Sequence, residues 1–124
     1  MRTVVGIAIA GALGALARYG IDGFVSRRVT TSFPWGTFVV NMSGAFLLGA
    51  VFTLLTERWL GAPWLRSTLT IGFLGAYTTF STLSLEAYRM LEDGALGLAA
   101  LNLVGSLVVG VAALYAGVLV GRVV

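Results

Sequence analysis

Two stretches of this chain run for twenty residues or more without a charge: Thr37 to Thr56, and about Ala95 to Gly121. The hydrocarbon core of a bilayer is about 30 Å thick and takes roughly 20 helical residues to cross. Inside it every backbone polar group must be satisfied within the protein, which leaves helices and closed barrels as spanning structures. Two further apolar blocks flank these runs. The first extends from about Thr3 past Arg18 and Asp22 to about Val25, and the other starts near Arg66 and ends at Glu92, Asp93 and Gly94. The expected fold is an all-α integral membrane protein with four transmembrane helices, over about 3–25, 37–56, 66–91 and 95–121. Short loops join them into a single domain over 1–124, with no linker, low-complexity segment or strong internal repeat.

Composition agrees. Of 124 residues, 58% are hydrophobic and 10% charged, with mean hydropathy +0.96, whereas a soluble domain is roughly a quarter charged. Without Cys there are neither disulfides nor thiolate metal sites, and without His the usual proton shuttle is missing. The net charge of +3 comes from Arg alone. Scattered between apolar blocks, it fits a membrane surface and not nucleic acid. Arg2 and the apolar run behind it resemble a signal peptide, but no convincing cleavage region precedes Arg18, so the run is read as a mature span. No nucleophile–base set or metal cluster is apparent, so an enzyme is not expected.

The third block is poor helix material at its centre. Gly72-Phe73-Leu74-Gly75-Ala76-Tyr77-Thr78-Thr79-Phe80-Ser81-Thr82-Leu83-Ser84-Leu85-Glu86 holds two glycines, each costing a helix interior about 1 kcal/mol relative to Ala, and a β-branched Thr pair. Five hydroxyls follow closely. This predicts a helix broken in its middle, where carbonyls and hydroxyls meet an ion. The alternative is that the hydroxyls bond carbonyls one turn back and merely bend the helix. Elsewhere, Gly6, Ala10 and Gly14 form a small-residue stripe suited to close helix packing. Asn41 is the one strongly polar side chain of the second block, either a functional group or a bond to a neighbouring helix. Asn102 and Ser106 share a face of the fourth. Glu86 and Arg89 are spaced to pair, and Arg18 and Asp22 sit where they can pair or snorkel.

Arginines alone do not orient the chain. One side of this topology carries Arg2, Arg58, Arg66 and Arg122, and the other Arg18, Arg27, Arg28 and Arg89. A four-to-four balance gives no Lys/Arg bias to follow, which suggests antiparallel, dual-topology dimers. Four short helices also leave little room to enclose a polar path, so oligomers are expected.

Pro34-Trp35-Gly36-Thr37-Phe38-Val39-Val40-Asn41-Met42-Ser43-Gly44-Ala45-Phe46-Leu47-Leu48-Gly49, the Gly72–Glu86 stretch and Gly11-Ala12-Leu13-Gly14-Ala15-Leu16-Ala17-Arg18-Tyr19 together resemble the Fluc/CrcB family of fluoride channels, in order and spacing over nearly the whole chain. The resemblance implies a fluoride-selective channel in the cell inner membrane or plasma membrane, passively exporting fluoride to relieve its toxicity. It implies an antiparallel homodimer with two pores and a central structural Na+ on the two-fold axis. By position, Gly75 and Thr78 match the carbonyls that hold sodium. Phe80 matches the first of two pore phenylalanines, and Asn41 the asparagine beside the fluoride path. Ser81, Thr82, Ser84 and Ser106 match pore hydroxyls, while Arg18 and Glu86 match structural charges. Leu83 stands where the family usually has its second Phe, and Asn102 where Tyr or His is common. These departures imply lower throughput, altered selectivity or a heterodimeric partner.

The residue types suit fluoride. Asn offers two N–H donors and Ser and Thr rotatable hydroxyls, and a Phe edge is the positive end of its quadrupole. A rival reading is a small dual-topology proton-coupled multidrug exporter, which wants a membrane carboxylate in its first helix; only Asp22, near the end, is available. A second is a non-transporting scaffold subunit.

Overall fold

The computed structural model describes residues 1–59 and 61–124. Helix α1 covers Arg2–Arg28. Helix α2 covers Trp35–Thr53 and continues through a π-wound turn, Leu54–Arg58. Helix α3, residues 63–77, opens on Pro63–Ser67, widens into a π-wound stretch Thr68–Leu74 and closes with Gly75–Tyr77. Helix α4 is Phe80–Glu92 and α5 is Leu96–Val123. Among the described residues there is no strand.

Arg2–Arg28, Trp35–Arg58 and Leu96–Val123 are each long and apolar enough to cross a membrane. Helices α3 and α4 are not long enough singly, since about 20 residues are needed. In tandem they supply the length of one crossing, interrupted at Thr78 and Thr79. The third span expected over 66–91 is therefore two helices.

Local chemistry sets the ends. Pro34 precedes α2, and its neighbours Phe33, Trp35 and Phe38 pack as a tilted and edge-to-face trio with ring centroids 4.7 to 5.7 Å apart. Pro63 opens α3, where its missing N–H costs nothing. Gly94 ends α4 at φ 76°, a left-handed turn closed by Ala95 N–H donating to the Met90 carbonyl at 2.8 Å.

Small residues bring the helices together. A Cβ on Gly117 would overlap the Phe46 carbonyl oxygen, and one on Gly49 the carbonyl oxygen of Leu114, so α2 and α5 touch backbone to backbone. The predicted stripe on α1 is used the same way. Gly14 lies under the Phe73 carbonyl, Gly6 against Thr68, and Ala10 is buried beside Gly72. Helix α4 rests on α5. Most remaining apolar side chains on α1 and α5 face outward, as lipid or a partner requires.

One ion pair lies among the described residues: Arg122 Nε donates to Glu57 Oε2 at 3.1 Å. It puts the ends of α2 and α5 on the same side, as the arginine tally assumed. The spaced pair Glu86 and Arg89 does not form; Glu86 instead accepts a hydrogen bond from Thr37 Oγ1 at 2.6 Å. Arg18 and Asp22 do not pair either. Asp22 accepts from Ser26.

Candidate functional site

The break is built by two threonines and held by α2. Thr78 leaves helical geometry at φ −82°, ψ 157°, and Thr79 stays extended at φ −149°, ψ 113°. Thr79 then caps α4, its hydroxyl accepting from Thr82 N–H at 3.2 Å. Its own peptide groups are taken by Asn41. Asn41 Nδ2 donates to the Thr79 carbonyl at 3.1 Å, and Thr79 N–H donates to Asn41 Oδ1 at 2.8 Å. Of the two alternatives for Asn41, the neighbouring-segment bond is made, and one amide hydrogen remains to offer elsewhere. Gly44, three residues on, lets the break approach: a Cβ there would overlap Thr78 Cγ2.

Upstream, Thr78 N–H and Oγ1 both donate to the Leu74 carbonyl. The carbonyls of Gly75 and Thr78, the expected sodium ligands, accept no backbone hydrogen bond among the described residues. Gly75 itself is exposed. Hard oxygens without donors fit a cation.

On the α5 side of the break lies an open groove of about 510 Å³. Asn41, Thr78, Phe80, Leu83 and Ser106 line it, together with apolar residues of α2 and α5. It thus unites four of the expected pore residues with one expected cation ligand. Phe80 is 80% exposed and Leu83 only 9%, so the ring stands out on a wall that lacks an opposite face. Asn102 does not line this groove; it is buried one turn from Ser106, whose hydroxyl lies 3.4 Å from Asn102 Oδ1. Asn102 Nδ2 is buried without a partner.

A second, smaller cavity of about 260 Å³ opens on the α1 side, lined by Arg18, Tyr19, Asp22, Thr37, Thr79 and Thr82 among others. Thr79 reaches both cavities. Ser81 and Ser84 line neither; Ser81 is exposed, and Ser84 Oγ donates to the Phe80 carbonyl at 2.9 Å, the helix-bending alternative. The protons are therefore unevenly available. Thr79 Oγ1 donates to Thr82 Oγ1 at 3.0 Å, which leaves the Thr82 proton without an assigned acceptor among the described residues. Glu86 Oε2 is also buried and unpartnered.

Sequence reasoning passed over Thr79, Thr37, Ser43 and Tyr77 as site residues. The threonine doublet marked the position of Thr79, but nothing local signalled that Thr37 would meet Glu86.

Comparison with known proteins follows this geometry. A family model described as CrcB-like protein, Camphor Resistance (CrcB), matches residues 5–118. Curated relatives named fluoride-specific ion channel FluC are 47% identical in Citrifermentans bemidjiense, over 98% of each chain. A relative of the same name from Magnetococcus marinus is 42% identical over 95% of this chain and 96% of its own. One from Solibacter usitatus is 44% identical over 94% and 95%. Matched end to end in this way, the chain belongs to the Fluc/CrcB family, a family of ion channels and not of enzymes.

Proposed function

We propose that this protein is a fluoride-selective channel of the cell inner membrane or plasma membrane, exporting fluoride passively and so relieving its toxicity. The observation that carries the reading is the groove at the helix break, where the exposed Phe80 ring stands beside the Asn41 amide and the Ser106 hydroxyl. A ring edge, an amide hydrogen and a hydroxyl are donors for a small anion. None is a fixed cation, so the ion is held weakly enough to leave.

The working unit is an antiparallel dual-topology homodimer with two pores. The balanced arginines support it, as does Phe80, which as 80% exposed pore wall needs a facing surface that a single chain lacks. A structural sodium on the two-fold axis fits the same arrangement. Each chain would offer the Gly75 and Thr78 carbonyls, oxygens without backbone donors. When bound, the cation raises the local potential for an anion and joins two otherwise open breaks. Arg18 and Glu86 act as structural charges near the α1-side cavity.

Reconstitution of the chain alone in liposomes, with a fluoride electrode outside, tests this. Fluoride efflux that needs sodium and proceeds without a proton gradient is expected. Absence of efflux, or efflux of organic cations coupled to protons, would replace the channel with the scaffold or exporter reading.

A further inference from the structure

Tyr77 is the last helical residue before the break, and it is held on three sides. Its ring lies nearly parallel to that of Phe73, centroids 6.0 Å apart and planes 10° apart. Its edge lies against Gly44, where a Cβ would come within 3.0 Å of Cδ1. Its phenol oxygen is 2.8 Å from Ser43 Oγ. Ser43 has one hydroxyl proton, which points back along its own helix, 2.7 Å from the Val39 carbonyl oxygen and 3.1 Å from that of Val40. Ser43 is therefore the acceptor and Tyr77 the donor, in a relay that ends on the α2 backbone.

A purely apolar anchor at this 4% exposed position would be served by Phe, which needs no partner. The hydroxyl adds direction. A stacked ring can slide along its neighbours, whereas a hydrogen bond fixes its register on α2. The residue after Tyr77 turns to ψ 157°, so a shift of Tyr77 re-aims the peptide planes that follow, including the Thr78 carbonyl. The downstream lip of the break is fixed separately by Asn41. Asn41 and Ser43 are two positions apart and leave α2 about 200° apart around its axis, so α2 holds the two lips from different flanks.

We infer that the Tyr77–Ser43 pair is a positioning device that sets the direction of the carbonyls at the break, and thereby the affinity of that site for its cation. The inference rests on the sodium reading above. Neither residue touches the ion; both act through the backbone of Gly75–Tyr77 and Thr78.

The test titrates sodium against fluoride efflux from liposomes for the wild type, Tyr77→Phe, Ser43→Ala, the double variant and Ser43→Thr. Each single variant is expected to raise the half-saturating sodium concentration by about three- to tenfold, the effect of one neutral hydrogen bond. The double variant should be no worse than the worse single one. At saturating sodium the flux should return to the wild-type level, and Ser43→Thr, which keeps the hydroxyl, should keep the wild-type midpoint. Melting of the purified protein with and without sodium supplies a second readout, with the sodium-induced rise smaller in both single variants. An unchanged sodium midpoint in active variants overturns the inference while leaving the sodium reading intact, as does a loss of stability that is equal with and without sodium. A wild type whose efflux ignores sodium overturns that reading, and the inference with it.

Discussion

The Asn41 carboxamide makes both hydrogen bonds to Thr79 that an adjacent β-strand would make, Nδ2 to its carbonyl at 3.1 Å and Oδ1 to its N–H at 2.8 Å. A side chain has replaced the missing turn of helix. The break can therefore sit at membrane depth without orphaned groups on its second residue, which in hydrocarbon would cost several kcal/mol each.

Asn41→Ala should destabilise the protein by about 1–3 kcal/mol, because it leaves two peptide groups unsatisfied. Asn41→Asp keeps the acceptor for Thr79 N–H but loses the donor to its carbonyl, and should also abolish fluoride efflux. Thermal unfolding in detergent reads the first effect and liposome efflux the second; an Asp variant with wild-type flux would remove Asn41 from the anion path.

Phe80→Ile should abolish efflux with little change in the folding of a single chain. The ring is 80% exposed, so its removal leaves no internal cavity of the kind that costs a buried aromatic about 3–5 kcal/mol. Melting and efflux measured on the same preparation separate these outcomes. A large drop in melting temperature with flux retained would mark Phe80 as packing.

Gly117→Ala should disrupt the α2–α5 contact, since the new methyl meets the Phe46 carbonyl and, at 2.9 Å, the Ala50 nitrogen. Overpacking of this kind costs about 1–3 kcal/mol. Gly97→Ala, on the same helix with open space around it, is the control and should be neutral or slightly stabilising. Equal melting temperatures for the two variants would contradict the packing described.

Asn102→Leu separates packing from conduction. Asn102 is 1% exposed and its Nδ2 has no partner, while its bond with Ser106 is long at 3.4 Å. Replacing an unsatisfied buried amide by an apolar group of similar shape is close to neutral or stabilising. Stability should hold or rise, whereas efflux should fall if the free amide meets the anion. Unchanged efflux would assign Asn102 to the helix interface alone.

Much of this architecture is written in local pattern. Charge-free runs mark α2 and α5, Gly6, Ala10 and Gly14 mark the face that α3 packs on, and the Gly72–Glu86 stretch marks the break. What local pattern does not carry is the choice among partners. Glu86 has Arg89 at helical spacing, yet it bonds Thr37, 49 positions away, because the exposed Arg89 turns outward while α2 presents a hydroxyl. Asn41 is legible as a polar residue in an apolar helix, but its partner is a backbone segment whose position depends on how α2 and α3 pack. Ser81 and Ser84 look equivalent to Thr82 in sequence; only the positions of their neighbours show that Ser84 has turned its proton to Phe80. Leu83 is likewise a substitution by type, and becomes a buried wall of the groove only through the tilt of α4.

The widened winding of Thr68–Leu74 also fixes phase along the chain. Its last turn is closed by Gly75 N–H reaching the Thr70 carbonyl, five residues back, a ladder that accommodates an extra residue without lengthening the helix. A one-residue deletion there would relax the stretch to ordinary winding and rotate everything downstream by about 100°. Phe73 and Tyr77 would then lose their angular setting, and the threonine doublet would swing away from Asn41. In this segment, the residue count acts as an alignment key, and length changes should be less forgiving than changes of side chain.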